Sequence, residues 1–153
     1  MNLPPRPHAN AYWATPQLLA TEYPGDLHPA VAAAKLDALL GAGIREFIDL
    51  TRPHELVPYE ELLYERATVA GLPAGAVRYQ RLPIQDMAVP APECLEEILA
   101  VLYAAETAGR PAVVHCWGGI GRTGTVVGAY LVRHGGAPNG EAALARIARE
   151  WAT

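Results

Sequence analysis

The sequence predicts a single α/β domain with a mostly parallel central sheet flanked by helices. Three observations carry that expectation. The chain has 153 residues, 51% of them apolar, which suits one packed core without staples. Short apolar runs alternate with longer stretches of helical periodicity, the pattern of strands joined by crossover helices. Near the carboxyl end a short apolar run opens into a glycine-rich turn and then another helix, the usual setting of an anion-binding loop.

The elements follow in order. Residues 1–10 are polar and proline-rich and read as a loose arm preceding the domain, 11–153. Residues 12–22 hold two short apolar pieces around Pro16, expected as edge strands. Pro29 suits a first helical turn, and residues 30–40 read as a helix with Val31, Leu36, Leu39 and Leu40 apolar, ended by Gly41 and Gly43. Residues 44–50 read as a strand, 51–58 as loop, 59–70 as a helix and 77–84 as a strand. Two prolines make 85–92 a loop. Residues 93–107 give the cleanest helix, with Leu95, Ile98, Leu99, Leu102 and Tyr103 on one face. A buried strand at 112–115, a helix from about 122 to 134 broken by Gly135 and Gly136, and a last helix over 140–151 complete the set.

Composition removes several function classes. The net charge of −4 gives no support for nucleic-acid binding. No apolar run approaches the roughly 18 residues of a membrane span, and no signal-peptide pattern opens the chain, so a cytoplasmic protein is expected. The two cysteines, Cys94 and Cys116, make neither a disulfide framework nor a Cys-x-x-Cys metal spacing. No metal and no cofactor are expected. Cys94 reads as a small apolar residue at a helix start.

The chemistry concentrates in residues 115–124, His-Cys-Trp-Gly-Gly-Ile-Gly-Arg-Thr-Gly. Gly118, Gly119, Gly121 and Gly124 let successive backbone amides turn toward one centre, and the helix that follows adds its positive end. The expected anion cradle runs Trp117, Gly118, Gly119, Ile120, Gly121 and Arg122. Arg122 forks onto two oxygens of a phosphate as lysine cannot. Cys116, at the base of that field, is expected as a thiolate nucleophile. His115 is placed to tune the site through backbone hydrogen bonds, and Thr123 to stabilise the departing thiolate. Asp86, thirty residues before the cysteine in a loop after a strand, is the expected proton donor to the leaving oxygen. Asp49, at a strand end, is expected to bond loop backbone. Arg52, His54 and Glu55 read first as a solvated loop and second as a cleft rim. Tyr12, Trp13 and Tyr23 read first as packing residues, and Arg133, Arg146 and Arg149 as solvated helix faces.

His115, Cys116, Arg122 and Thr123 fill all four places of His-Cys-x5-Arg-Ser/Thr, and here the chain resembles the protein-tyrosine phosphatase superfamily. With Pro83-Ile84-Gln85-Asp86 as an acid loop, it looks most like the small dual-specificity phosphatases and their bacterial relatives. The resemblance covers residues 44–150, and only the two loops are specific. It implies the phosphotyrosine-phosphatase fold, a phosphocysteine at Cys116, a phosphate-binding Arg122, and an Asp86 that first donates a proton and then activates water. It also implies metal-free hydrolysis of a phosphorylated protein or small phosphate ester. Phosphoinositide-selective relatives often carry lysines where this loop has Trp117, Gly118 and Ile120, which lowers the expectation of such a substrate.

Four other readings stand beside it. Gly119-x-Gly121-x-x-Gly124 formally matches the dinucleotide fingerprint, but too little chain follows for the βαβ unit, and Cys116 and Arg122 are left unexplained. A catalytically silent phosphate-binding module, a sulfur-transfer enzyme and a phosphatase for a non-protein substrate remain open. Oligomeric state is not legible.

Overall fold

In the computed structural model, residues 3–85 and 88–152 are described. The elements are β1 (Ala11–Thr15), β2 (Leu18–Thr21), α1 (Pro29–Gly41), β3 (Glu46–Asp49), α2 (Glu60–Val69), β4 (Arg78–Arg81), α3 (Pro92–Thr107), β5 (Ala112–His115), α4 (Gly121–Arg133) and α5 (Gly140–Ala152). The sheet order is β1-β2-β5-β3-β4. β1 runs antiparallel to β2, and β2, β5, β3 and β4 are mutually parallel. The expected α/β class with a mostly parallel sheet is the class found.

Both faces of the sheet are covered, so β1, β2, β3 and β5 are buried on both sides, and only the edge strand β4 keeps exposed polar residues. On one face α1 and α2 pack Leu36, Leu39, Leu40 and Leu63 against Trp13, Leu19, Phe47 and Val113. On the other, α3, α4 and α5 pack Ile98, Leu102, Val127, Tyr130 and Ile147 against Tyr12, Ala20, Ile48 and Val114. Each fully buried leucine or isoleucine here contributes about 1.5–3 kcal/mol of transfer free energy. Alternation along β5 therefore sends His115 toward the α1–α2 face and Cys116 toward the α3–α5 face.

Helix ends follow their local chemistry. Pro29 and Pro92 open α1 and α3, where a missing N–H costs nothing. α4 stops where Ala137 N returns to Leu131 O at 3.0 Å, a turn closed through Gly136 at φ +81°.

Three expectations change. β2 is an interior strand, paired to β1 and to β5, and only β1 of that hairpin is an edge. Tyr103 is 43% exposed and leaves the α3 core stripe, stacking on His134 with ring centroids 4.0 Å apart, while Ala105 joins the core instead. On α1, Val31 faces out and Ala32 is buried. Near the amino end, Trp13 Nε1 donates to Pro5 O at 3.0 Å and the His8 ring lies 2.9 Å from Thr21 Oγ1.

The register places Thr21 (β2), His115 (β5), Asp49 (β3) and Arg81 (β4) at one level across the carboxyl ends of the parallel strands. Loops leaving this edge of an open α/β sheet are where such folds bind ligands.

Candidate active site

β5 ends at His115, α4 begins at Gly121, and the loop between them carries Cys116 at its base. Cys116 is 4% exposed. Thr123 Oγ1 donates to its Sγ at 3.1 Å. Burial pushes the thiol up, but the Thr123 hydroxyl, the backbone amides of Thr123 and Gly119 and the Arg122 charge outweigh it, and the thiol is held below the ordinary 9.0. Three donors converging on one sulfur, with a guanidinium beside it, favour the thiolate.

The shape of the loop depends on Gly119. Its φ is +77°, and a Cβ there would sit 2.7 Å from Thr21 O and 3.0 Å from Glu22 N, both backbone atoms. Only glycine lets the loop lean this closely on the end of β2. A second tie runs from Tyr23 N to Trp117 O at 2.8 Å. The side chains of Trp117 and Ile120 are exposed, and Gly118, Gly119 and Gly121 have none.

Arg122 is almost fully buried. Its Nη1 donates to Glu55 Oε1 at 2.9 Å and to Ile84 O at 3.0 Å, and its Nη2 to Glu55 Oε2 at 2.7 Å. The fork-to-fork pair fixes the guanidinium plane, and the Arg122 hydrogen bond holds the Glu55 carboxyl below its ordinary value. The loop after β3 and the segment after β4 thus both orient the arginine of a loop distant from them in sequence.

Behind the loop lies a neutral relay. Burial lowers the His115 pKa, so its ring is neutral. Tyr59, buried and with its phenol pushed well up by burial, lies 2.6 Å from His115 Nε2, and His115 Nδ1 lies 3.1 Å from Cys116 O. A neutral ring beside a tyrosine that stays protonated assigns the tautomer: Tyr59 donates to Nε2, and Nδ1–H donates to the Cys116 carbonyl. Asp49 Oδ1 is 3.9 Å from Nε2, beyond hydrogen-bond range. Asp49 instead accepts from Thr51 N at 2.9 Å, Thr51 Oγ1 at 2.6 Å and Tyr79 Oη at 2.5 Å, and pairs with Arg81. Burial pushes its carboxyl up, but the Thr51 and Tyr79 hydrogen bonds hold it down, and the net direction is below the ordinary value, so Asp49 stays ionised.

The fold brings His115, Cys116, Arg122 and Thr123 into one site. Asp86 lies outside the described residues; Ile84, two residues earlier, already touches Arg122. Asp49 bonds the loop backbone at Thr51, as expected from its strand-end position. Glu55 departs from the solvated-loop reading, since it grips Arg122. The sequence marks Tyr59 only as the start of a helix. Neither carries a local signal, because each partner is more than fifty residues away. Tyr12 and Trp13 are core residues. Arg146 is not a solvated face: it donates to Gly135 O at 2.7 Å and Ala14 O at 2.6 Å, tying α5 to β1. Arg133 pairs with Glu96 on the surface. Cys94 packs against the core beside Pro83. Among the described residues, no three His, Cys, Asp or Glu side chains cluster to hold a metal ion, and no helix is long and apolar enough to cross a membrane.

The backbone is similar to the crystal structure of Tk-PTP in the active form, with a TM-score of 0.74 and 24% identity over 92% of this chain and 84% of that one. In sequence, the chain is 27% identical over 124 residues to a protein tyrosine phosphatase domain-containing protein 1 of Mus musculus, covering 78% of this chain and 16% of the mouse protein. It is 28% identical over 141 residues to a tyrosine-protein phosphatase CDC14 homolog of Schizosaccharomyces pombe, covering 90% and 25% respectively. The chain therefore spans a quarter or less of the length of these curated relatives. Residues 24–136, which hold the nucleophile loop, Glu55, Tyr59 and the helix α4, match the family Tc-R-P, "Polymorphic toxin system, DSP-PTPase phosphatase", and the chain belongs to that phosphatase family.

Proposed function

We propose that the chain hydrolyses phosphate monoesters, aryl phosphates such as phosphotyrosine foremost, through a cysteinyl-phosphate. The observation that carries this reading is the sulfur itself: Cys116 Sγ is buried at the base of the loop, hydrogen-bonded by Thr123 Oγ1, and acidified by the groups around it. Those groups favour an anion on sulfur and an anion above it.

In the first step the Cys116 thiolate attacks phosphorus, the S–P bond forms and the P–O ester bond breaks, and the departing oxygen takes its proton from Asp86. The loop amides and Arg122 bind the equatorial oxygens. In the second step water attacks phosphorus, Asp86 takes a proton from it, and the S–P bond breaks. The thiolate leaves onto the Thr123 hydroxyl and inorganic phosphate is released. Glu55 keeps the Arg122 fork in plane while it binds. His115 and Tyr59 hold the Cys116 carbonyl from behind, which keeps the loop from relaxing out of its anion-binding shape.

The test is hydrolysis of p-nitrophenyl phosphate in EDTA from pH 4 to 9, wild type against Cys116→Ser. The expected profile is bell-shaped with a mildly acidic maximum, because Cys116 must be ionised and Asp86 protonated. Activity that survives in Cys116→Ser overturns the mechanism. A folded wild type that binds phosphopeptide without turnover makes the chain a silent binding module, and thiosulfate-to-cyanide turnover makes it a sulfur transferase.

A further inference from the structure

Beside the catalytic loop, sharing Trp117 and Gly118 with it and Glu55 with the Arg122 ion pair, lies a cleft of about 790 Å³ whose remaining walls take no part in the reaction above. Trp117 and Gly118 of the loop form one wall, Leu27 and Asp26 of the β2–α1 loop a second, and Val57 and His54 of the β3–α2 loop a third. Leu27 is 82% exposed and Trp117 67%, and Val57 is also exposed. Three large apolar side chains thus face one concavity adjoining the phosphate cradle, an arrangement that marks a binding surface rather than scattered surface apolarity.

The walls are fixed in place. Tyr23 N holds Trp117 O, and Tyr23 Oη donates to Val57 O, so one residue ties the catalytic loop to the opposite wall. His54 sits at φ +66°, the one non-glycine positive φ among the described residues. Left-handed strain of this kind concentrates at ligand-contacting loops.

The charge of the lining chooses the occupant. It carries three carboxylates, Glu22, Asp26 and Glu55, against one lysine, Lys35. Lys35 is engaged by Glu22 at 3.3 Å, Tyr23 O at 3.2 Å and Gly25 O at 3.4 Å, and Glu55 is engaged by Arg122. Asp26 accepts the His28 amide at 2.9 Å and contributes a negative charge that no cation of the lining balances. A second phosphate or an anionic lipid headgroup meets a net negative rim here, whereas an apolar side chain with a basic neighbour meets complementary groups.

Resting on the phosphatase reading, we propose that this cleft is a peptide subsite: it seats a large apolar side chain next to the phosphorylated residue of the substrate, with Asp26 receiving an adjacent Lys or Arg. The experiment uses phosphotyrosyl heptapeptides, otherwise alanine, in which each flanking position in turn carries leucine, alone or beside a lysine. At one or more positions, wild-type kcat/KM is expected to exceed that of the alanine peptide by about tenfold or more, the order for one apolar side chain leaving water. Leu27→Asp, at an exposed position, should abolish the leucine preference and leave p-nitrophenyl phosphate turnover within twofold. Asp26→Asn should remove only the lysine gain. Equal turnover of all peptides, a leucine preference that persists in Leu27→Asp, or faster hydrolysis of phosphoinositide vesicles than of any peptide would overturn the proposal. Absent p-nitrophenyl phosphate turnover is a failure of the catalytic reading instead. Anisotropy of the same labelled peptides on the wild-type protein then decides the subsite: tighter leucine peptides uphold it and equal affinities overturn it.

Discussion

Thr123→Val exchanges one hydroxyl for a methyl of the same shape at a fully buried position, so it isolates a single contact, the 3.1 Å hydrogen bond onto Cys116 Sγ. A hydrogen bond to a charged partner is worth about 1.5–3 kcal/mol, which corresponds to roughly a 10- to 100-fold rate change. The loss falls unevenly on the two steps. In the first, sulfur gives up negative charge as it attacks, so a weaker hydrogen bond partly compensates by leaving the thiolate more nucleophilic. In the second, sulfur gains charge as it leaves, and the missing donor is felt in full. Breakdown of the phosphocysteine should therefore become the slow step. Rapid-quench measurement with p-nitrophenyl phosphate is expected to show a stoichiometric burst of p-nitrophenol, followed by a steady state about 10- to 100-fold below wild type. A steady-state rate within twofold of wild type and no change in burst would refute the role given to Thr123.

Other perturbations have equally definite outcomes. Gly119→Ala drives a Cβ into Thr21 backbone at a positive φ and should cost about 2–4 kcal/mol in urea unfolding and most of the activity. Gly121→Ala, with nothing within 4 Å of the added carbon, should keep the wild-type urea midpoint. Tyr59→Phe strips the donor from His115 Nε2 and should destabilise by about 1–2 kcal/mol, with kcat falling more than KM changes as the loop loses its support. Stability should drop as pH is lowered through the ordinary histidine value of 6.5, because burial depresses His115 and His8 in the fold and the unfolded chain takes up protons the fold refuses. His115→Asn should reduce that slope below pH 6.5, leaving the His8 part, and an unchanged slope would show that folding does not depress His115.

The nucleophile loop is legible because its chemistry is local: Cys116, the glycines, Arg122 and Thr123 lie within nine consecutive residues, and each type is required by the anion it surrounds. The helices were legible for the same reason, since 3.6-residue periodicity is written along one segment. What stayed hidden depends on distant pairing. Leu18–Thr21 is four residues long, and nothing in it says whether β5 will pair beside it and make it an interior strand. Glu55 looked like any carboxylate in a polar loop until the fold placed Arg122 opposite it. Tyr103 keeps the apolar spacing of its helix, but it stacks at the surface on His134, just past the end of α4. Arg146 was hidden in the same way, by the carbonyl of Ala14 at the other end of the chain.

The position of β5 carries a consequence for how the nucleophile comes into being. It is the last strand in chain order, yet it occupies the middle of the sheet between β2 and β3. A chain folded only as far as β4 holds two open strand edges facing an empty slot, and pairings this far apart in sequence close late. Until the slot fills, Gly119 cannot rest on Thr21, Arg122 cannot reach Glu55, and Cys116 is a thiol like any other. Closing the sheet and arming the cysteine are thus one event, so a partly folded chain carries a sulfur no more reactive than that of an ordinary cysteine.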